Sequence, residues 1–293
     1  MGRALAESSP AAAAVWAEAD AALGFGLSTL CFEGPAADLA LTANTQPAVL
    51  TTSVAAAAAL AERGVIPGLV AGHSLGEYSA LVIAGALRFE EAVRLVRRRG
   101  QHMQQAVPVG QGAMAAVLGG ELSAIERACA ETEGVVEPVN YNCPGQLVIA
   151  GERAAVERAS ERIKQEGAKV RPLPVSAPFH CRLMQPAEER FRPDLERANL
   201  RDPGLPVYVN VDAVPVRTAA AARDALVRQI SRPVRWEQSI RKLLEDGVTL
   251  FVEIGVGKAL AGMIKRIDKA TPCIGVEAPA DLAVAREAIR AQR

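Results

Sequence analysis

The chain reads as an α/β protein, a parallel-sheet domain built from both ends of the chain and interrupted by an inserted ferredoxin-like module. Three observations predict this. Both ends of the chain alternate short apolar runs with helical segments, the pattern of a parallel sheet covered on both faces. The middle carries the order βαββαβ. Gly72-His73-Ser74-Leu75-Gly76 joins an apolar run to a helical one, the setting in which a serine nucleophile is held above a sheet edge.

In chain order, the segment from Pro47 through the alanines to Gly64 predicts a helix with proline near its start. Residues 68–72 predict a short strand, followed by a helix from about Leu75 and a second helix over 90–105. Residues 113–119 form the first strand of the module, and Glu121 to Glu133 its first helix. Val135 to Asn142 and Gln146 to Gly151 are β-rich runs joined by a turn at Pro144-Gly145. A helix follows, with Gly167 placed to cap it, and then the extended run Lys169 to Val175. Beyond it come the strand PVYVNVD, helices near 220–230 and 236–246, the strand VTLFVEIG and the helix KALAGMIKRI. The expected division is a large domain from residues 1–106 and 176–293, with the ferredoxin-like module at 107–175.

Bulk properties narrow the function. With 293 residues, half of them apolar, the chain can build a large core. Its 33 basic and 33 acidic side chains balance, which argues against a nucleic-acid binder. No apolar run approaches the roughly 20 residues of a membrane span, and the acid-bearing N-terminus lacks the pattern of a secretory signal. A cytoplasmic protein is expected. Cys31, Cys129, Cys143, Cys181 and Cys273 are scattered and odd in number, so neither a disulfide framework nor a metal site is expected.

A serine between strand and helix must occupy a strained turn, so its close neighbours on both sides are expected to be glycines. The Leu75 N–H, at the start of the following helix, is placed to serve as half of an oxyanion hole. Of three histidines, His73 neighbours the serine in the chain and reads as structural. His102 lies off the apolar stripe of its helix. His180 follows the extended run that closes the module, in a loop of the kind where catalytic groups collect in α/β proteins, and is the expected general base. On the helix over 90–105, Ala92, Val96 and Met103 share one face, and Arg99 falls in the middle of it. A guanidinium on an apolar stripe is costly unless paired. It is either an ion pair with an internal acid or a fork for a ligand carboxylate.

These segments resemble the malonyl-CoA:acyl carrier protein transacylases over essentially the whole chain. The matching motifs are GHSLGEYSAL (72–81), RLVRRRGQHMQ (94–104), NYNCPGQLVIAG (140–151), VSAPFHCRLM (175–184), LVRQISRPVRW (226–236) and EIGVGKAL (253–260). The resemblance implies a hydrolase-like large domain with a ferredoxin-like insert, a ping-pong acyl transfer through an ester on Ser74, malonyl-CoA and acyl carrier protein as partners, fatty acid biosynthesis as the setting, and no metal or redox cofactor; a monomer is expected. It places the malonyl carboxylate on Arg99 with Met103 beside it, makes Phe179 the wall that narrows the acyl pocket, and has Gln229 offer its main-chain carbonyl to His180. Arg223, Arg228, Arg232 and Arg235 form a candidate docking patch for the acidic carrier protein. Family members also carry, before the stretch resembling Met1-Gly2-Arg3, a strand and a Gly-Gln-Gly-Ser-Gln-like loop whose glutamine N–H completes the oxyanion hole. Neither occurs in this sequence, so low stability and a slowed reaction are expected. A serine hydrolase and a non-catalytic carrier-protein binding module are the rival readings.

Overall fold

The computed structural model describes residues 1–175 and 177–292. Ser176 of the histidine motif, which is also the expected domain boundary, and Arg293 lie outside the described residues.

The N-terminal part is helical. Pro10–Leu23 begins after Ser9, whose hydroxyl accepts from the Ala12 N–H, and has proline at its first position. The helix expected from Pro47 is longer, running Thr42–Ala61 with Pro47 inside it. Proline forfeits one hydrogen bond there. Burial of Gln46, Ala48, Leu50 and Thr51 around it supplies the packing that keeps the helix intact.

The strand before Ser74 shortens to Val70–Ala71. It pairs in parallel with Val207–Tyr208, which pairs antiparallel with Pro215–Val216. A second, separate parallel pair joins Phe251–Ile254 to Cys273–Val276. The expected parallel sheet is thus present in two pieces, one with an antiparallel edge. Among the described residues, Val70–Ala71 and Phe251–Ile254 each have a single neighbouring strand. All four residues of Phe251–Ile254 are half-buried, whereas Val207, Tyr208, Val209 and Asn210 are buried. Glu253 accepts the N–H groups of Leu260 and Ala261, capping the helix Ala259–Ile267.

The middle of the chain folds as an antiparallel four-stranded sheet in the order Val136–Cys143, Gln146–Glu152, Gly112–Leu118, Lys169–Pro172, with helices Leu122–Ala130 and Arg153–Gln165. Alternation along the strands splits its side chains between two faces. Ala115, Val117, Leu147 and Ile149 pack with Ile125, Val156 and Ile163 of the helices. Met114, Val139, Val148 and Ala150 face the other way and pack against Cys181, Phe179 and Leu183 of the histidine loop. The same sheet is tied to the segment after Gln229: Val234 N–H donates to Val139 O at 2.8 Å, and Tyr141 N–H to Val234 O at 2.9 Å.

The helix Phe89–Gln104 buries Ala92, Val93, Val96, Arg99, Gly100 and Met103 and exposes Arg94 and Arg98. Gly100 allows a close approach to the helix Thr42–Ala61. A Cβ at that position would lie 2.7 Å from Thr42 O and 2.9 Å from Ala43 Cα. That approach brings Gln46 over Arg99.

Candidate active site

Ser74 sits in the turn from Val70–Ala71 into the short helix Gly76–Ile83, with φ at 50°. A left-handed non-glycine residue is strained, and such strain persists only where surrounding bonds over-determine it. Asn210 supplies them. Its Oδ1 accepts from Ser74 N–H at 2.6 Å and its Nδ2 donates to Gly72 O at 2.7 Å. Gly72 is required, since a Cβ there would lie 2.0 Å from the backbone of Gly76. Gly76 is not: a Cβ there meets nothing within 4 Å. The expectation of obligatory glycines on both sides therefore holds on one side only, because the turn closes Gly72 onto Gly76 while Gly76 faces open space.

His180 also has positive φ, 66°, and is 4% exposed. Its Nδ1 bonds to Gln229 O at 2.8 Å and its Nε2 to Ser74 Oγ at 2.8 Å. A carbonyl only accepts, so Nδ1 carries the hydrogen and Nε2 is left to accept from the Ser74 hydroxyl. Burial, and then the neighbouring Arg99 charge, push the imidazole down to about 3. It is therefore neutral at neutral pH, the state a base needs.

Arg99 is 2% exposed. Nη1 donates to Gln46 Oε1 at 2.8 Å; Nη2 donates to Gln229 Oε1 at 2.9 Å and to Ser74 Oγ at 3.1 Å. None of these acceptors is a carboxylate. Of the two readings left open for Arg99, the internal ion pair is the one these contacts disfavour. Burial depresses the guanidinium from its usual value, but arginine remains charged. Met103, buried on the same helix face, accepts from Gln46 Nε2 at 3.8 Å. Phe179, half-buried, packs between the main core and the module sheet. The Leu75 N–H, immediately before the helix Gly76–Ile83, has no hydrogen-bond partner among the described residues.

Ser74, His180, Gln229 and Arg99 are thus joined by direct bonds, with Met103 reached through Gln46. Sequence reasoning missed Gln46 and Asn210, and assigned nothing to Glu77 within its motif. Asn210 left a trace, as a polar residue interrupting the apolar run PVYVNVD. His73 lies away from the nucleophile, bonded through Nε2 to Asn142 Oδ1 of the module at 2.9 Å and tilted against Trp236. His102 bonds to buried Asp194. Of the four arginines of the candidate patch, Arg223 is occupied with Leu195 O and Ala198 O, and Arg228 with Asp212 and Asp224. Arg232 and Arg235 remain exposed and outside any salt bridge among the described residues.

In this α/β chain a bonded serine–histidine pair stands beside a buried arginine, and a family model described as an acyl transferase domain matches residues 1–272. The malonyl CoA-acyl carrier protein transacylase of Bacillus subtilis (strain 168) is 46% identical over 294 residues, covering 99% of this chain and 93% of its own length. That of Escherichia coli (strain K12) is 47% identical over 287 residues, covering 97% and 93%. Among solved structures, a malonyl-transacylase in complex with a type II PKS acyl-carrier protein superposes with a TM-score of 0.96 at 46% identity, covering 98% of this chain and 94% of that one. The chain belongs to the malonyl CoA-acyl carrier protein transacylase family and is an acyltransferase.

Proposed function

We propose that the chain moves a malonyl group from malonyl-CoA to the phosphopantetheine thiol of acyl carrier protein, through an ester on Ser74. The observation that carries this reading is the buried Arg99, held by two amide oxygens and no acid, with Nη2 3.1 Å from the nucleophile. A fixed cation beside a serine that forms an ester suits an acyl group with its own carboxylate.

In the first half-reaction His180 Nε2 takes the Ser74 proton, and Oγ attacks the thioester carbonyl. The Leu75 N–H donates to the developing oxyanion. The carbon–sulfur bond breaks, and coenzyme A leaves with the proton returned by His180. The carrier-protein thiol then gives its proton to His180 and attacks the ester, restoring Ser74. The Gln229 carbonyl holds the imidazole in the reactive tautomer without contributing a titratable group. Met103 and Phe179 shape the acyl pocket. In this reading residues 107–175 act as one module that steadies the histidine loop, and residues 1–106 with 176–293 carry the chemistry. Among the described residues no helix is long and apolar enough to cross a membrane. A monomer working in the cytoplasm, in fatty acid biosynthesis, completes the proposal.

The test is intact-mass detection of a malonyl adduct, mapped to Ser74, after mixing with malonyl-CoA. Arg99→Ala should lose malonyl loading by on the order of 2–4 kcal/mol while acetyl loading falls less or rises. Equal losses would refute the carboxylate clamp.

A further inference from the structure

Glu77 is a fully buried acid, 0% exposed, on the first turn of the helix that follows Ser74. Its Oε2 accepts twice, from Asn210 N–H at 2.8 Å and from Gln229 Nε2 at 2.9 Å, while its buried Oε1 has no partner among the described residues. Burial raises the carboxyl to about 7. An acid kept at that cost invites a reason beyond packing.

The two bonds lead to different parts of the site. Asn210 braces the serine turn through Ser74 N–H and Gly72 O. Gln229 serves the clamp. Its Nε2 is shared between Glu77 and Ser74 O, which obliges its Oε1 to face Arg99 Nη2. If the amide turned over, an N–H would confront a guanidinium N–H, and a carbonyl oxygen would confront both Ser74 O and the carboxyl oxygen of Glu77. Glu77 thereby fixes the amide, and the amide fixes one side of the arginine fork. Gln46 fixes the other.

We propose that Glu77 is a positioning residue for acyl-group selectivity: acting through the Gln229 side chain, it sets the direction of the Arg99 fork and with it the preference for acyl groups bearing a free carboxylate. The proposal rests on the malonyl-transfer reading. Its oxygen acceptor at the Oε2 position does the work, so an amide in its place should serve nearly as well.

The experiment measures Ser74 loading rates from malonyl-CoA and from acetyl-CoA by intact mass, in the full chain and in Glu77→Ala, Glu77→Gln and Glu77→Asp. Glu77→Ala should slow both rates through the serine turn and, in addition, lower the malonyl-to-acetyl ratio by about tenfold, the worth of one well-placed hydrogen bond to a charged group. Glu77→Gln should return the ratio to within about threefold of the unmodified chain, since it keeps the acceptor. A purely structural acid would lower both rates together and leave the ratio alone, and that result in Glu77→Ala overturns the proposal. So does a ratio that stays low in Glu77→Gln. If Glu77→Ala does not fold, Glu77→Asp decides, because its carboxylate stops one methylene short of Gln229: a lowered ratio supports the proposal and an unchanged one overturns it. A full chain that takes no malonyl fails at the first measurement and removes the functional reading along with the proposal.

Discussion

Phe179 lies one residue before His180 and is packed on one side by the main core and on the other by the module sheet. In the proposed malonyl transfer Phe179 borders the acyl group, and shortening it would open space there while leaving Arg99 in place. Phe179→Ser should therefore raise the use of methylmalonyl relative to malonyl, read as a ratio of loading rates in folded protein. An unchanged ratio would assign Phe179 to the core alone. His180 makes a prediction about stability. Its imidazole is held at about 3 against an ordinary 6.5, chiefly by burial. Between those values the unfolded chain binds a proton that the folded chain does not, so this group's contribution to stability falls as pH drops. Glu77 acts oppositely, since it is raised from 4.5 to about 7 and the folded chain binds the extra proton in that interval. His180→Ala should consequently gain stability relative to the unmodified protein as pH falls from about 6.5 toward about 4. Urea midpoints of the two proteins across that range measure it, and a gap independent of pH would contradict the burial argument.

At the scale of elements, the site depends on how closely two helices approach. Gly100 on Phe89–Gln104 meets the backbone of Thr42 and Ala43. A methyl group there must push the helix Thr42–Ala61 outward, since backbone atoms cannot rotate aside. Overpacking of this kind costs about 1–3 kcal/mol. Gly100→Ala should lower stability by that amount and also weaken malonyl selectivity, because Gln46 is carried away from Arg99. Gly76→Ala serves as the comparison. Its Cβ meets nothing within 4 Å, so its melting temperature should stay close to that of the unmodified protein. A Gly100→Ala variant that is destabilised but retains its full malonyl preference would show that Gln46 follows Arg99 regardless of helix spacing.

On the scale of the molecule, the formal charge sums to zero, so docking of a charged partner depends on local groups. Arg223 and Arg228 are occupied within the fold, while Arg232 and Arg235 are exposed on the loop between Gln229 and Trp236. That loop carries the backbone bridge at Val234 and follows directly on Gln229, whose carbonyl is bonded to His180. An acidic carrier protein drawn to it would arrive next to the nucleophile. Reversing the charge of Arg232 and Arg235 together should weaken transfer to carrier protein, most at low salt, and leave loading from malonyl-CoA intact. Equal loss in both half-reactions would place the arginines elsewhere in the mechanism.

The sequence alone was enough to establish the βαββαβ order of the module, the serine turn and the arginine on an apolar stripe, because periodicity and turn chemistry are local properties. Local patterns also named Ser74 and His180, 106 positions apart, as partners, although only the folded chain places Oγ and Nε2 at 2.8 Å. The length of the helix around Pro47 escaped local reading, since tertiary burial outweighs one lost hydrogen bond. So did the division of the parallel sheet into two pieces, which depends on which strands find neighbours. The supporting residues were least visible of all. Gln46, Glu77 and Asn210 are ordinary polar side chains in helix and strand patterns, and their roles come from contacts across 53, 152 and 136 positions. A buried amide or acid takes its meaning from what it faces, and only tertiary packing decides that.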